Sequence, residues 1–230
     1  MKKFELTSEF VTFLGKTLFR IKALVSFGDV AEGELGGFIE RENNLDQSGD
    51  AWVCGDARVY GDARVCGDAR VYGDARVYGD AQVYGDAWVF GDAWVFGNAW
   101  VFGNAWVYGD AQVCGDARVF GDAWVFGNAW VCGNAWVCGD AQVCGDAQVF
   151  GDARVQNCRD YSATSCFGSE NRTTTFFRTK DGGISVRCGC FYGTLREFRE
   201  KVKERHGDSR LAKEYLMLAD LMEFRLSKDE

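Results

Sequence analysis

Histidine and cysteine are the residue types of this chain whose positions test most directly for catalysis or metal binding. The one histidine, His206, stands near the end of a predicted helix, where the helix dipole favours a cationic side chain. A single imidazole cannot supply the three nitrogen ligands of a histidine zinc site. The sequence also has no nucleophile-elbow, Walker or dinucleotide-binding motif in the required context. We therefore interpret His206 as a helix-end residue and assign no catalytic residue, no cofactor and no metal.

Cysteine, with ten copies, is the second residue type that could bind a metal or react. Cys188 and Cys190 are separated by one residue, with Cys158 and Cys166 upstream, but this CxC pair falls outside the CxxC spacing that is usual for zinc. We expect reduced, structural thiols and hence a reducing, cytoplasmic compartment. The six remaining cysteines take a slot that Tyr or Phe fills elsewhere in a repeated segment, where they behave as apolar side chains: Cys54, Cys66, Cys114, Cys132, Cys138 and Cys144.

The repeated segment, residues 49–156, contains the unit Gly-Asp/Asn-Ala-x-Val-x 18 times without interruption. Its first variable position accepts Arg58, Gln82 and Trp88, so it cannot face a sealed core, where an unpaired Arg would be costly. Inward Ala and Val alternating with outward residues predict a short strand, and Gly-Asp or Gly-Asn predicts the turn after it. Because so short a strand cannot bury a face alone, the copies must stack on one another.

The hexad resembles the hexapeptide-repeat family, whose fold is a left-handed parallel β-helix. An aliphatic residue is followed four places later by a small one, as in Val53 and Ala57, and the resemblance covers 108 of 230 residues. Three hexads form one coil in that family, so 18 hexads imply a mainly β solenoid of about six coils. The run from Gly36 to Val53 is similar to the entry to the helix in an uncharacterised subgroup from prophages and gut bacteria, and we expect a small C-terminal α+β module to follow the solenoid.

The resembled family includes acyltransferases and enzymes similar to carbonic anhydrase. Its acyltransferases use a His as general base beside loops that interrupt the coils, whereas here no hexad is interrupted and His206 lies after the repeats. Its anhydrase-like members bind a metal through three His, which this chain does not have. An acyltransferase is therefore the enzyme alternative, but this chain has no residue that matches the catalytic His of the family.

Two shorter segments flank the repeats. We predict an N-terminal β cap at 1–48, the β-helix at 49–156 and a C-terminal βββαα module at 157–230, which could be a terminal cap only or a small recognition module.

Predicted strands cover 10–14, 18–27 and 35–39 upstream, and 161–168, 173–179 and 184–191 downstream. A capping box at Thr194 and Glu197 opens one helix, and a second runs from Asp208 to Leu226. The candidate inward residues of the helices are Leu195, Phe198, Val202, Leu211, Tyr215, Met222 and Leu226.

The charge of the repeats disfavours nucleic acid as a partner. Residues 49–156 hold 14 Asp and 6 Arg, a net of −8, whereas phosphate binding needs a basic surface. We interpret the corner Asp and Asn as acceptors for turn N–H groups, and the band of Arg58, Arg64, Arg70 and Arg76 as pairing with corner Asp. No apolar run is long enough to predict a membrane span, and none near Met1 predicts a signal peptide.

Residues 18 apart stack in successive coils, which sorts the outward side chains by face. At about 150–250 Å² per ring, six stacked aromatics on one face would exceed the roughly 300–600 Å² of the largest apolar patch on a typical monomer. Such a ladder could reinforce a slim solenoid or contact a partner. Trimers are common in the resembled family, so we expect a homo-oligomer, with a trimer as one form. The candidate ladder is Trp88, Phe90, Trp106, Tyr108, Trp124 and Phe126.

We expect a non-enzymatic binding or scaffold protein that acts through the outer aromatic ladder or through the C-terminal module. A phage protein that acts on a host factor is one form of this function, implied by the resemblance to the prophage subgroup. The alternatives are the acyltransferase and a sponge that sequesters a small ligand in a pocket between subunits.

Overall fold

The hexads form the turns of a β-solenoid in the computed structural model, which describes residues 2–227. In each hexad the first variable residue and the Val after it make a strand of two residues, and the Gly with its Asp or Asn makes the corner. In chain order the strands up to the end of the repeats are β1 Phe4–Phe13, β2 Lys16–Ala23, β3 Leu35–Ile39, β4 Trp52–Val53, β5 Arg58–Val59, β6 Arg64–Val65, β7 Arg70–Val71, β8 Arg76–Val77, β9 Gln82–Val83, β10 Trp88–Val89, β11 Trp94–Val95, β12 Trp100–Val101, β13 Trp106–Val107, β14 Gln112–Val113, β15 Arg118–Val119, β16 Trp124–Val125, β17 Trp130–Val131, β18 Trp136–Val137, β19 Gln142–Val143, β20 Gln148–Val149 and β21 Arg154–Val155, with a 3₁₀ turn at Glu42–Asn44.

Strands one turn apart pair in parallel. Trp88 lies opposite Trp106, and Val89 opposite Val107. The Trp88 N–H donates to the Ala105 carbonyl oxygen at 2.9 Å. Every third hexad therefore lies on the same face, as the period of 18 predicts. The three sheets define the first face (β3, β5, β8, β11, β14, β17, β20), the second face (β4, β7, β10, β13, β16, β19) and the third face (β6, β9, β12, β15, β18, β21).

Ala and Val side chains fill the interior of the solenoid. Each Ala and Val of the repeats, from Ala51 to Val155, has 0% exposure, which confirms the inward assignment.

The backbones of successive turns are closely packed at the corners. Gly103 has a φ of 72°, and a Cβ there would lie 3.0 Å from the backbone nitrogen of Gly121. Glycine is the residue that accepts both conditions at little cost.

The solenoid has about seven turns rather than the six that the hexads alone predict. The additional turn comes from residues before the repeats, because β3 pairs in parallel with β5 and Leu45 forms a bridge to Val65. The buried side chain of Asn44 donates to the carbonyl oxygens of Gly61 and Ala63, at 3.0 and 2.8 Å. Residues that lack the hexad pattern thus continue the hydrogen bonding of the repeats.

An antiparallel hairpin of β1 and β2 leads into β3 and covers the N-terminal end. β1 begins at Phe4, earlier than predicted, and β2 ends at Ala23, earlier than predicted. The rings of Phe4 and Phe27 contact the indole of Trp52 edge-on, at centroid distances of 6.4 and 5.4 Å. Trp52 is therefore buried although it occupies an outward position of the first hexad.

Lys3 satisfies backbone groups at this end of the solenoid. Its ammonium donates to the carbonyl oxygens of Ser48, Gly49 and Ala51, at 3.4, 3.2 and 2.9 Å. Burial lowers the pKa of Lys3 to about 8, while the nearby carboxylate of Asp46 favours the charged form. A buried cation is tolerated here because it bonds to carbonyl groups that would otherwise lack partners.

The C-terminal module contains four strands and two helices rather than the predicted βββαα. The predicted strand from Ile184 to Phe191 is two strands, since the chain reverses at Gly189, where φ is 58°, and Cys190. Three predicted inward residues of the second helix are buried and Leu211 is partly buried. The elements are β22 Tyr161–Phe167, β23 Arg172–Arg178, β24 Ile184–Cys188, β25 Phe191–Thr194, α1 Leu195–His206 and α2 Arg210–Leu226.

Local signals set the starts of both helices. The predicted capping box opens α1: the Glu197 N–H donates to the Thr194 hydroxyl oxygen at 3.2 Å, and the Glu197 carboxylate accepts from the Thr194 N–H at 2.8 Å. The N-cap of α2 is Ser209, one residue after the predicted Asp208, and its hydroxyl accepts from the Ala212 N–H. Both helices thereby satisfy N–H groups that have no partner within the helix.

The C-terminal sheet lies on the last turns of the solenoid. The Gln148 N–H donates to the Thr175 hydroxyl oxygen at 3.0 Å, and the Tyr161 hydroxyl donates to the Gln142 carbonyl oxygen at 2.6 Å. Tyr161 and Phe177 belong to the same buried cluster as the Ala and Val of the repeats. The module therefore caps the solenoid, while a second buried cluster lies between its own sheet and helices.

Cys114 and Cys132 form a disulfide on the first face, so the expectation of reduced thiols is wrong for this pair. They lie 18 residues apart in stacked turns, with 4.7 Å between their Cα atoms, within the range of about 4.4–6.8 Å that a disulfide spans. The other eight cysteines are free.

Candidate functional site

The predicted aromatic ladder is present on the second face. The indole rings of Trp88, Trp106 and Trp124 stack on one another, with centroid separations of 5.2 and 5.3 Å and interplanar angles of 4° and 9°. Parallel pairing causes this stacking, because it holds equivalent Cα atoms one strand spacing apart, about 4.8 Å. Each stacked pair contributes about 0.5–1.5 kcal/mol beyond the burial of area.

A second column of rings runs beside the indoles. Phe90, Tyr108 and Phe126 stack at centroid distances of 4.8 and 5.0 Å, and Tyr72 lies 4.8 Å from Phe90 as a fourth ring. The columns meet edge to face, with 6.0 Å between Phe90 and Trp106. Burial raises the pKa of Tyr72 and of Tyr108, so both are neutral phenols at neutral pH. Tyr72 is not among the predicted ladder residues, although the period of 18 places it in this column.

Stacking covers the faces of the ladder rings and leaves their edges accessible. Trp88 is 37% exposed, and the other five predicted ladder residues are only partly exposed. Six rings with about a third or less of their surface accessible present at most a few hundred Å². The expectation that this patch is larger than usual for a monomer is therefore wrong. The ladder is both an internal reinforcement and a narrow apolar surface.

Polar corners border the ladder, and its rings contact one another rather than the caps. In the described residues, the ring contacts of the predicted ladder members are with other members or with Tyr72. An aromatic centre inside a polar rim is the composition of many protein interfaces. The exposed corner residues beside the ladder are Asp86, Asp92, Asn104, Asp110, Asp122 and Asn128.

The corner side chains are hydrogen-bonded differently from the prediction. The Asn104 side chain donates to the carboxylate of Asp122 one turn away, at 2.8 Å. Among the described residues, six corner N–H groups donate to glycine carbonyl oxygens of the next turn, as Asp74 does to Gly91 at 2.9 Å. The Asp50 N–H instead donates to the Asp68 carboxylate at 3.0 Å. The predicted role of the corner carboxylates as acceptors for turn N–H groups therefore holds at Asp68 and is wrong as a general rule. The same amide-to-carboxylate bond joins Asn98, Asn128 and Asn134 to Asp116, Asp146 and Asp152.

The basic band contacts the N-terminal cap. The guanidinium groups of Arg58 and Arg76 lie over the ring of Phe13, 4.7 and 5.2 Å from its centroid. Arg70 forms an ion pair with Asp29 in the loop before β3. The predicted pairing with corner Asp is therefore wrong for these three arginines, and their charges lie against the cap.

The cysteines of the C-terminal module do not gather into a metal-binding cluster. Among residues 2–227, no group of three or more His, Cys, Asp or Glu side chains is placed to hold a metal ion. The Cys188 sulfur instead accepts a hydrogen bond from the Thr174 hydroxyl at 3.2 Å.

Neither of the described helices has the length and apolar character that crossing a membrane requires.

His206 ends α1, as predicted, and lines a cavity of about 530 Å³ in the C-terminal module. Its ring stacks on the ring of Tyr215 with 5.7 Å between centroids. The sequence does not predict this cavity, because its walls come from the β22–β23 loop, the β24–β25 turn and both helices. Residues so far apart in the sequence give no local pattern.

Helix α2 carries a second apolar stripe that is not among the predicted sites. Met217, Leu221 and Phe224 are 71%, 56% and 85% exposed and share one helix face, which we call the α2 seam. The opposite face packs inward through Tyr215 and Met222. The sequence of α2 contains this signal, because a helix that packs on one core needs only one apolar stripe and α2 has two.

Segments of the solenoid match a known repeat family. The matching family model is described as YdcK Beta solenoid repeat, and the matched residues are 51–67, 63–79, 69–84, 81–96 and 111–127. All of these lie within the hexads, so these segments of the chain are similar to the β-solenoid repeats of this family. A comparison with curated proteins finds no match.

Proposed function

We propose that this chain is a non-enzymatic binding and scaffold protein whose ladder on the second face is contacted by a second copy of the chain. The observation that carries the proposal is the continuous stack of Trp88, Trp106 and Trp124, with accessible edges and a polar border. Trp and Tyr at the centre of an interface commonly supply most of its binding free energy, while polar neighbours exclude water.

A second copy suits this face because identical faces can pair around a symmetry axis. A standard interface buries about 800 Å² on each partner, which is more than the ring edges offer. The adjoining ring of Tyr72 and the corners beside the ladder would supply the remainder. A trimer would use the same face around a threefold axis. Because most of these corners are Asp, we expect salt to strengthen the association.

Light scattering at micromolar concentration tests the proposal on the wild type and on Trp106→Arg. The variant is compatible with the fold, because on the third face Arg118 already lies between Trp100 and Trp136, 4.9 and 5.2 Å from their rings. Trp100→Arg is the matched control, with the same charge change outside the ladder. An oligomer that dissociates in Trp106→Arg and persists in Trp100→Arg supports the proposal. Equal behaviour of the two variants contradicts it.

The α2 seam provides a second surface that the same experiment can separate from the ladder. Phe224→Glu introduces a charge on an already exposed position, so it leaves the fold intact. If the oligomer dissociates only in Phe224→Glu, the α2 seam rather than the ladder is the surface of self-association. A monomeric wild type would favour another protein as the partner, and the resemblance to prophage and gut-bacterial proteins then suggests a host factor.

A further inference from the structure

We propose that the cavity of the C-terminal module binds a small organic anion with an apolar body, of the class of medium-chain alkyl or aryl carboxylates. Its volume of about 530 Å³ falls within the range of about 300–1,000 Å³ that is usual for small-ligand sites. The cavity lies outside the ladder and outside the solenoid, so this proposal is independent of the association proposed above.

The floor of the cavity is apolar and largely aromatic. Phe198 and Val202 of α1 and Tyr215 of α2 are buried side chains that line it. Phe198 packs against Phe191 and Tyr215, with centroid distances of 5.6 and 5.8 Å. Phe167 closes the floor and contacts Tyr215 edge-on at 5.4 Å. These contacts hold the rings in place, so an apolar ligand would meet a preformed surface.

The rim of the cavity is basic. Arg172, Lys201, Arg205 and His206 line it, and Glu170 is the one carboxylate among the lining residues. The charge of Lys201 is already paired with Glu204, whose carboxylate oxygen lies 2.8 Å from the Lys201 nitrogen.

The two arginines of the rim have no such partner. Within residues 2–227, neither Arg172 nor Arg205 forms a side-chain hydrogen bond or an ion pair. A guanidinium offers paired N–H donors that match the two oxygens of a carboxylate. The rim therefore has two free anion-binding groups that come from different elements, the β22–β23 hairpin and α1.

The floor and the rim together define the ligand class. A simple inorganic anion would use the arginines but not the aromatic floor, and an uncharged apolar molecule would use the floor but not the arginines. A ligand that combines an acidic head with an alkyl or aryl body uses both. Carboxylic acids of different chain length share this head and body, and probes of different length distinguish them.

Isothermal titration of the full chain with octanoate tests the proposal, with octanol and octylammonium as probes of the same length and different charge. We expect octanoate to bind, and the two comparison probes to bind at least about tenfold more weakly, because a charged hydrogen bond typically contributes that much. Arg172→Gln and Arg205→Gln should each weaken octanoate binding about tenfold. Arg196→Gln, an exposed residue of α1 outside the cavity lining, should leave it unchanged. Decanoate and dodecanoate then report how long a chain the floor accepts.

Alkylation of cysteine locates the bound ligand. Cys190 and Cys158 are both exposed, but only Cys190 lines the cavity. Octanoate should slow the alkylation of Cys190 by iodoacetamide, mapped by peptide mass spectrometry, without slowing that of Cys158. The proposal is wrong if octanoate fails to bind at millimolar concentration, if octanol binds as tightly, or if both arginine variants retain wild-type affinity. Equal protection of the two cysteines would also overturn it.

Discussion

The indole ring of Trp106 lies parallel to that of Trp88, with 5.2 Å between ring centroids and 4° between ring planes. On the third face the equivalent column places Arg118 between Trp100 and Trp136, 4.9 and 5.2 Å from the two rings. The outward column of this solenoid therefore accepts either a ring or a guanidinium between two indoles, because both offer a flat surface that an aromatic face attracts.

This equivalence predicts a difference between two variants at position 106. Trp106→Ala removes two stacked pairs and the edge contact with Phe90, and should lower the free energy of unfolding by about 1.5–4.5 kcal/mol. Trp106→Arg replaces the stacking by cation–π contacts and should cost less than Trp106→Ala. Urea unfolding followed by circular dichroism measures both. If the Arg variant were as unstable as the Ala variant, its use as a probe of association would lose its basis.

Two corner glycines distinguish the energetic cost of a left-handed backbone from the cost of crowding the next turn of the solenoid. Gly145 has a φ of 64° and open space where a Cβ would stand, whereas a Cβ at Gly103 would lie 3.0 Å from the Gly121 nitrogen. Gly145→Ala should cost only the left-handed conformation, about 1–2 kcal/mol. Gly103→Ala should cost more, because the next turn must move. Thermal unfolding of the two variants gives the comparison, and equal losses would show that the corners are not in close contact.

The disulfide between Cys114 and Cys132 should stabilise the solenoid. It closes a loop with a sequence separation of 18 residues, for which loop-closure entropy suggests about 3 kcal/mol. Cys114→Ser should lower the melting temperature more than Cys138→Ser, since Cys138 is a free thiol in the same kind of slot. A reducing agent should destabilise the wild type but not Cys114→Ser. Insensitivity of the wild type to reduction would indicate that the bond does not form.

Glu40 should make the N-terminal cap sensitive to acid. Burial raises the pKa of its carboxyl, but hydrogen bonds from the Lys16 ammonium and the Gly61 N–H, at 2.8 and 2.7 Å, outweigh burial and hold the pKa below its usual value. The folded pKa is thus lower than the unfolded one. The stabilisation is complete above the unfolded pKa and is lost as the pH falls through the folded pKa.

Glu40→Gln tests this pH dependence. At neutral pH the variant should lose about 1–2 kcal/mol of unfolding free energy, because charged hydrogen bonds become neutral ones. The difference between wild type and variant should shrink as the pH falls below the usual pKa of a glutamate, about 4.3. Urea unfolding at a series of pH values measures it. A difference that stays constant down to strongly acidic pH would exclude Glu40 as the group responsible.

The repeat made the interior and the ladder predictable. A slot that accepts Arg58 and Trp88 must face outward, and a period of 18 must align Trp88 with Trp106, whatever the rest of the chain does. The same period places Cys114 and Cys132 one turn apart, but it does not predict the bond between them, and reduced thiols were expected. The accessible area of the ladder did not follow, because stacking hides ring faces that a count of aromatic residues treats as exposed.

Features made by residues without a repeat could not be predicted in the same way. The additional turn depends on Leu45 and Asn44, which replace the hexad pattern with a bridge and side-chain hydrogen bonds. The cavity of the C-terminal module depends on contacts between Phe167, Phe198 and Tyr215, which belong to three separate elements. Their proximity is a result of tertiary packing, and sequence spacing does not encode it.

Self-association through the ladder is the central claim, and the dissociation constant of the full chain tests it most directly. Sedimentation equilibrium over micromolar concentrations should show an oligomer for the wild type. Trp106 is at the centre of the ladder, where a typical anchor residue contributes at least about 2 kcal/mol, so Trp106→Arg should weaken association by roughly 30-fold or more. Trp100→Arg should stay close to the wild-type value. A monomeric wild type, or equal dissociation constants for the two variants, would contradict the account.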